Sequence, residues 1–236
     1  FAQYDGTPMN KTGDTKKAET AVRTDKYPHS DNDWENFDVL HINRLPSAAT
    51  FMAYTTKEKA VKNDKSQSEY FQSLNGTWKF QFVPRSDQRP MDFFEKGHDV
   101  SGWGNIKVPA NWEMEGYGHP FYVGAGYGIK RNPPLIAVEN SPVGSYKRTF
   151  NVPANWKGKQ IVLHFGGVAS AFYVWVNGEK VGYSQDSKTP SEFDITPYAV
   201  TGQNEIAVQV FKFSDGYYLE DQDYWRFAVY NVMCTF

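Results

Sequence analysis

Hydrophobic and polar residues alternate along much of the chain after residue 74, and this period of two predicts β-strands. The clearest case is "GTWKFQFV" at 76–83, in which Trp78, Phe80 and Phe82 are separated by polar residues. Similar patterns, or short β-branched and aromatic runs, predict further strands at 105–110, 144–152, 160–168, 170–178, 179–184, 192–195 and 205–213. Many short strands at regular spacing predict an all-β sandwich or barrel.

One connection between these strands is predicted in detail. Asn177-Gly178 separates "FYVWV" from "EKVGY", and both residues tolerate a positive φ, so the pair predicts a tight two-residue β-hairpin. The chain shows no internal repeat and no long helical pattern, although the charged stretch 56–70 allows one short helix. The sequence therefore predicts a sheet protein with little helix.

Other segments lack a strand pattern. Residues 1–30 are polar and predict an extended amino-terminal arm. The stretch 33–46 is richer in apolar residues and is expected to pack irregularly, so residues 1–50 are assigned to an arm and an irregular segment and 51–228 to the sandwich. The Gly-, Pro- and aromatic-rich segment 111–143 predicts a long loop. Such a loop is either functional or interfacial, or it covers one end of the sandwich.

Composition and charge exclude several classes of protein. The chain has 236 residues, a formal net charge of -2 and no basic field that would favour nucleic acid. No apolar run approaches the roughly 18 residues of a membrane-spanning helix. The single Cys234 excludes an intramolecular disulfide framework and a thiolate metal site.

The first residue is Phe1 rather than Met, which indicates a removed signal peptide or a removed tag. A signal peptide would predict a periplasmic or secreted protein.

The polar stretch "GYSQDSKTPSEFDI" at 182–195 holds more hydrogen-bonding side chains than a turn requires. Asp186 in this stretch either caps a turn or reaches out to a ligand. Several aromatic residues flank the polar loops, and they would either stack on sugar rings or fill the core, with the core interpretation favoured. These are Trp112, Tyr117, Phe121, Tyr122, Tyr127, Tyr183, Tyr217, Tyr218 and Trp225.

The acidic stretch 214–226 also has two interpretations. Asp215, Glu220, Asp221 and Asp223 would bind a divalent cation or act as an acid–base pair, or they would cap turns and pair with Arg226. The spacing does not match a known cation loop, so the second interpretation is favoured. The histidines are widely separated, and no motif places a nucleophile beside a base. The residues thus indicate no self-contained catalytic machinery.

Seven stretches taken together resemble the amino-terminal sugar-binding domain of the large bacterial β-galactosidases of glycoside hydrolase family 2. They occur in order between Asp33 and Arg226 and are "DWEN" with "NRLP", "SLNGTWKF", "VPANWEMEGYGHPFY", "NPP", "VGSYKRTFNVP", "YSQDSKTPSEFDIT" and "SDGYYLEDQDYWR". The resemblance implies a jelly-roll β-sandwich, a galactose-binding-domain-like fold, with an extended amino-terminal arm.

The resemblance also implies site residues. Asp186 would bind a galactose hydroxyl and a sodium ion, and Asn132, before Pro-Pro, would lie beside the same sugar. Asp33 and Asn36 match a segment near a structural divalent cation, magnesium in the full enzyme. The two catalytic glutamates of the family lie on a separate (β/α)₈ barrel, about 5 Å apart. No residue of this chain is therefore assigned a catalytic role, and the chain alone is expected to be inactive.

The implied partners are galactosides, the missing barrel domain and a second copy of the chain bound through the arm. A free-standing carbohydrate-binding module and an assembly part without a ligand remain as alternatives.

The tail at 229–236 departs from the family pattern, which continues after Trp-Arg-x-x as Gly-Ile-Gln-Arg-Asp-Val-Tyr-Leu. Deleting one base from suitable codons for that segment yields "VYNVMCTF", the sequence found here. A one-base frameshift is therefore the hypothesis for this tail. A segment that was not selected to pack is expected to be mobile or irregular on the sandwich.

Overall fold

The computed structural model describes residues 30–119 and 129–220 and the backbone of 234–235. These residues form an antiparallel β-sandwich of one seven-stranded and one three-stranded sheet. The strands are β1 (His41–Ile42), β2 (Gly76–Val83), β3 (Gly104–Val108), β4 (Val143–Val152), β5 (Val162–Phe165), β6 (Ala171–Val176), β7 (Glu179–Gln185), β8 (Ser191–Asp194), β9 (Gly202–Phe211) and β10 (Cys234–Thr235). The all-β sandwich predicted from the sequence is confirmed.

Helical structure is sparse in the described ranges. The helices are α1 (Lys57–Lys62) and α2 (Tyr217–Glu220), with short 3-10 turns at Asp33–Glu35, Lys65–Gln67, Ser86–Gln88, Val138–Asn140 and Ala154–Trp156. The predicted short helix in 56–70 is α1, which begins after Thr56, whose hydroxyl accepts the Lys59 N–H at 3.3 Å. Within the described residues, no helix has the length and apolar character needed to cross a membrane.

Strand order gives the sandwich two layers. The larger sheet runs β1-β7-β6-β9-β4-β2-β3 and the smaller β10-β5-β8. The core between them contains Trp78 and Phe80 from β2, Phe165 from β5, Phe172 from β6 and Phe193 from β8. These rings come from alternate positions of their strands, because successive side chains of a strand point to opposite faces.

The outer face of the larger sheet is also covered. Tyr173 and Trp175 of β6 point away from the first core and are only 8% exposed each. They pack in a second cluster with Trp34, Phe93 and Phe211. The Trp34 ring stacks on Phe211 at a centroid distance of 4.1 Å. The segment that carries Trp34 therefore closes this face.

The predicted Asn177-Gly178 hairpin is confirmed. Val176, which ends β6, pairs with Glu179, which begins β7, and the two turn residues Asn177 and Gly178 have φ of 53° and 89°. The Asn177 side chain fixes the turn further, since its amide donates to Tyr198 O at 2.9 Å and its Oδ1 accepts the Glu205 N–H at 3.0 Å.

The segment after residue 30 ends on the edge of the larger sheet. β1 pairs with β7 through His41 opposite Ser184 and Ile42 opposite Tyr183. Leu45 N–H then donates to Glu192 O at 2.8 Å, beside β8 in the smaller sheet. The stretch 33–46 is thus packed on the sandwich through one short 3-10 turn and one two-residue strand.

Most of the tail at 229–236 lies outside the described residues. Cys234 and Thr235 pair with Phe165 and His164 of β5, so the expectation of an irregular path is wrong for these two residues. The pairing uses only main-chain groups, and an edge strand offers these to any extended segment whatever its side chains.

The strand register brings several loops to one end of the larger sheet. Ala171 at the start of β6 is opposite both Gln185 at the end of β7 and Phe211 at the end of β9. Val143 at the start of β4 is opposite Phe211, and Val83 at the end of β2 is opposite Val143. The connections after β7 and β9 and before β4 therefore emerge side by side.

Candidate functional site

Asp186 begins the loop that follows β7 at this end of the sheet. Its φ of 90° lies in the left-handed region, which residues other than glycine rarely adopt. Its Oδ1 accepts the Lys188 N–H at 3.3 Å, and its Oδ2 accepts the Thr189 hydroxyl. Asp186 therefore caps its own turn, as one of the two interpretations predicted. The residue is only half-buried, so the same carboxylate also faces outward.

Asn132 lies in the loop that precedes β4, and it is exposed. Its main chain is held on both sides: Asn132 N–H donates to the Tyr218 hydroxyl at 3.3 Å, and its carbonyl accepts the Leu135 N–H at 2.8 Å. The Tyr218 hydroxyl in turn donates to Leu135 O at 2.7 Å. A buried tyrosine of the 213–218 segment thus fixes the backbone that presents the Asn132 side chain.

A third element touches both loops. The Glu35 carboxylate, 8% exposed as a residue, accepts the Ile136 N–H at 2.8 Å. On the other side, Gln185 donates its main-chain N–H to Leu40 O at 3.2 Å and its side-chain amide to Val39 O at 3.3 Å. Asn132 and Asp186 therefore belong to two loops that are both hydrogen-bonded to the segment 32–40.

Asp215 lies beneath the same loops with only 1% of its surface exposed. Its N–H donates to Trp34 O at 2.8 Å, and its Oδ1 accepts the Gly216 N–H at 2.8 Å. Among the described residues its Oδ2 has no hydrogen-bond partner. Burial, opposed by the nearby Gln185 amide and reinforced by the Glu35 charge, raises the pKa of Asp215 to about 7. The hydrogen bond from the Gly216 N–H joins adjacent residues, whereas an aspartate that caps a turn bonds the main chain two residues on, so a capping role for Asp215 stays a prediction.

The rest of the acidic stretch is not placed. The residues from Asp221 to Arg226, including Asp223, lie outside the described residues, and so does the side chain of Glu220. Whether these carboxylates bind a cation therefore stays a prediction.

The favoured core interpretation of the loop aromatics is confirmed where the structure describes them. Trp112, Tyr183, Tyr217 and Tyr218 are at most 6% exposed, so they do not present a face to a sugar. Tyr117 packs edge-on against Phe80 at 4.8 Å. Phe121, Tyr122, Tyr127 and Trp225 lie outside the described residues.

The predicted divalent-cation position has a limited set of ligands. Asp33 Oδ2 accepts the Tyr173 hydroxyl at 2.7 Å and lies 3.7 Å from Lys180 Nζ. Asn36 Oδ1 accepts the Asp38 N–H at 3.1 Å. Magnesium requires near-octahedral oxygen coordination, and the described residues contain no group of three or more acidic, His or Cys side chains suited to a metal. Asp33 and Asn36 alone therefore fit a divalent ion poorly, and binding there stays a prediction.

Sequence reasoning did not single out Glu35, although it lies within the quoted "DWEN". Gln185 lies within the quoted "GYSQDSKTPSEFDI", where nothing distinguishes it from the other polar residues. The available signal was a glutamate in the apolar-rich stretch 33–46 and a glutamine at the end of a strand, but the sequence does not show which polar groups are buried. The contact of Glu35 with Ile136 and those of Gln185 with Val39 and Leu40 appear only in the fold.

A β-sandwich whose polar loops gather at one end of its larger sheet has the architecture of a jelly-roll binding domain. The chain belongs to the sugar-binding domain family of glycosyl hydrolases family 2, which it matches over residues 71–233.

Individual relatives extend this comparison. The chain is 44% identical over 224 residues to a β-galactosidase of Priestia megaterium, covering 93% of this chain and 21% of the relative. It is 43% identical over 205 residues to a β-galactosidase of Halalkalibacterium halodurans, covering 85% and 20%. A β-glucuronidase structure from Ruminococcus gnavus, 25% identical, aligns over 61% of this chain and 22% of that chain with a TM-score of 0.45. The chain thus spans about a fifth of the length of the curated relatives that it matches.

Proposed function

We propose that this chain is the amino-terminal sugar-binding part of a β-galactosidase and that Asp186 and Asn132 hold the galactosyl unit of the substrate. The observation that carries the proposal is Asp186 at a left-handed φ of 90°, with its carboxylate fixed by its own turn. Uncommon backbone conformations of this kind concentrate at functional sites. The 41–44% identity to β-galactosidases supports galactosides as the ligand class.

The chemistry of the two side chains suits this role. A carboxylate accepts hydrogen bonds from sugar hydroxyls, and the Asn132 amide both donates and accepts them. Since both backbones are already fixed, less conformational freedom is lost when a sugar binds. Such residues would orient the ring, while a barrel domain would supply the acid–base and nucleophilic glutamates. The chain alone is expected not to hydrolyse galactosides.

Sodium binding is a second part of the proposal. Asp186 would contribute one carboxylate ligand in the full enzyme, with the remaining ligands supplied by other parts of the protein. Because both Asp186 oxygens already accept hydrogen bonds within the turn, we expect the ion to bind weakly to this chain alone.

Association of two copies through the amino-terminal arm also belongs to the proposal, and light scattering over a concentration series tests it.

Titration of the 236-residue chain with methyl β-D-galactoside, followed by NMR, tests sugar binding. We expect saturable shifts near Asp186 and Asn132 with a dissociation constant on the order of millimolar, weaker shifts with methyl β-D-glucoside, and loss of the response in Asp186→Ala and Asn132→Ala. Asp64→Ala is the matched control, because Asp64 Oδ1 accepts the Ser66 N–H at 3.0 Å in a similar exposed turn. A galactoside response that survives both site substitutions would overturn the assignment of these residues.

The same titration separates the alternatives. Tight binding of a different glycan, undisturbed by Asp186→Ala, would indicate a free-standing carbohydrate-binding module. No response to any sugar, together with association through the arm, would indicate an assembly part.

A further inference from the structure

We propose that Glu35 is a positioning residue that sets the Asn132 loop against the Asp186 loop. It acts through the segment 32–40, which we term the brace. This inference rests on the proposed function for its consequence in sugar binding, but the structural coupling itself is measured independently of any sugar.

The brace holds the Asn132 loop through one buried carboxylate. Glu35 Oε1 accepts the Ile136 N–H at 2.8 Å, four residues after Asn132. Hydrogen bonds to an ionised acceptor are about twice as strong as those between neutral groups, and burial reduces competition from water. This contact therefore limits how far the loop can move away from the brace.

Glu35 is itself held in place. Its Oε2 accepts the Ser30 hydroxyl at 2.9 Å and the Asn32 side-chain amide at 2.9 Å. The residue also lies in the Asp33–Glu35 turn, where Glu35 N–H donates to Asn32 O at 3.0 Å. Both carboxylate oxygens are therefore committed, and the one that meets Ile136 has a defined direction.

The other end of the brace holds the Asp186 loop. Val39 and Leu40 carbonyls accept both the side-chain amide and the main-chain N–H of Gln185, the residue before Asp186. Arg44 adds a contact just beyond the brace, donating to the Ser184 hydroxyl at 3.1 Å. The last residues of β7 are therefore positioned by the same stretch of chain that holds Ile136.

The middle of the brace is anchored in the sandwich. Trp34 stacks on Phe211, the last residue of β9, and the Trp34 carbonyl accepts the Asp215 N–H. The Arg89 guanidinium carbon lies 4.8 Å from the centroid of the Trp34 ring in a cation–π contact. Because its centre is fixed to the sandwich, the brace holds both loops in a set position relative to each other and does not move with either.

Removal of the carboxylate therefore has a defined effect. Without it the Ile136 N–H loses its acceptor, while the Asn132 loop keeps its hydrogen bonds to Tyr218 and the packing of Ile136 in the cluster with Phe213 and Tyr217. Displacement of a contact residue by about 1 Å can reduce catalytic efficiency by about 10²-fold. Since binding here involves two contact residues and no chemistry, we expect about a tenfold loss of galactoside affinity.

Hydrogen exchange of the 236-residue chain tests the coupling without a ligand. In Glu35→Ala we expect the Leu135 and Ile136 amides to exchange at least about tenfold faster, while the β4 and β9 amides keep their rates. Glu35→Gln retains one acceptor oxygen, so its effect should be smaller. Glu69→Ala is the control, because Glu69 is an exposed carboxylate paired with Lys59 at 3.3 Å.

Galactoside titration of the same variants gives the second measurement. We expect Glu35→Ala to lose affinity, and we expect Asn132→Ala to cost less affinity in the Glu35→Ala background than in the wild type, because both changes act on one contact. Additive losses, or wild-type exchange at Ile136 in Glu35→Ala, would overturn the role of Glu35. If Glu35→Ala does not fold, the same criteria are applied to Glu35→Gln.

The two proposals fail in different ways. If the wild-type chain binds no galactoside, the proposed function fails, and the exchange result alone decides whether Glu35 holds the Asn132 loop on the brace. If the wild-type chain binds galactoside through Asn132 and Asp186 but Glu35→Ala binds equally well, the positioning role fails and the proposed function stands.

Discussion

Lys212 Nζ lies 2.6 Å from Glu113 Oε1, and the two side chains are only 5% and 4% exposed. Lys212 also donates to His119 O at 3.3 Å. This buried pair joins the segment that follows β9 to the residues 113–119, at the loop end of the larger sheet. Both charges are removed from water, so each depends on the other for compensation.

Loss of one partner of this pair should destabilise the fold. We expect Lys212→Met to lower the free energy of unfolding by about 3–5 kcal/mol, because it leaves the buried Glu113 charge without its ammonium. The double variant Glu113→Leu/Lys212→Met should recover most of that loss. Urea unfolding of both variants checks this, and a Lys212→Met variant as stable as the wild type would contradict it.

The stability of the chain should depend on pH through Asp215. Its pKa is about 7 in the folded state and 3.8 without the protein environment. Between these values the folded state binds more protons than the unfolded state, so stability falls as pH rises from about 4 to about 7 and is level above that. At about 1.4 kcal/mol per pKa unit, the free energy of unfolding lost over this pH range is about 4 kcal/mol at most.

Asp215→Asn isolates this contribution, because the amide does not titrate in that range. We expect the variant and the wild type to be similar in stability near pH 4, and the variant to be the more stable above pH 7. Thermal or urea unfolding at several pH values measures the difference. A difference that stays constant from pH 4 to pH 8 would exclude Asp215 as the titrating group.

The Asn177 side chain should stabilise the hairpin beyond its backbone preference. Asn177→Gly keeps a residue suited to positive φ but removes the acceptor of the Glu205 N–H and the donor to Tyr198 O. We expect a loss of about 1–3 kcal/mol. Asn63→Gly is the control, since Asn63 has a similar φ of 50° at the end of α1 and should be nearly neutral. Equal effects of the two substitutions would contradict a role for the Asn177 side chain.

Gly182 should be intolerant of any side chain. A Cβ at this position would collide with the Ile42 main-chain oxygen and would lie 2.6 Å from the Phe193 ring. We expect Gly182→Ala to cost about 1–3 kcal/mol through overpacking and to increase hydrogen exchange in β1. Gly102→Ala, where no atom lies within 4 Å of the added Cβ, is the control. If the two variants unfold alike, the close approach of β1 to β7 is not tight in solution.

The strands of the sandwich could be predicted from the sequence because their signals are local. Each predicted strand overlaps an observed one, and Gly76–Val83 has the predicted bounds. Predicted ends differ most at β5, where 160–168 shortens to Val162–Phe165, and at β9, where 205–213 becomes Gly202–Phe211. Apolar residues beyond a strand still pack in the core, as Ile161 and Val168 do, so hydrophobicity alone does not mark where main-chain pairing ends.

The remaining features depend on distant residues. β1 has two residues, too few for any period, and its partner is more than 140 positions away. The predicted position of Asp186 followed from the resemblance, but its capping contacts with Lys188 and Thr189 are local and were anticipated as an alternative. The roles of Glu35 and Gln185 required knowledge of which main-chain groups the fold brings to them.

The pairing of His41 with Ser184 has a consequence for how the chain is made. Synthesis proceeds from the amino terminus at roughly 5–20 residues per second, so the segment that forms β1 leaves the ribosome several seconds before its partner strand exists. The apolar side chains of Trp34 and Ile42 stay exposed until β9 and β7 have been synthesised and can cover them. Local hairpins such as β6–β7 close quickly, whereas contacts across long sequence separations form late. The first part of this domain to be synthesised is therefore among the last to dock.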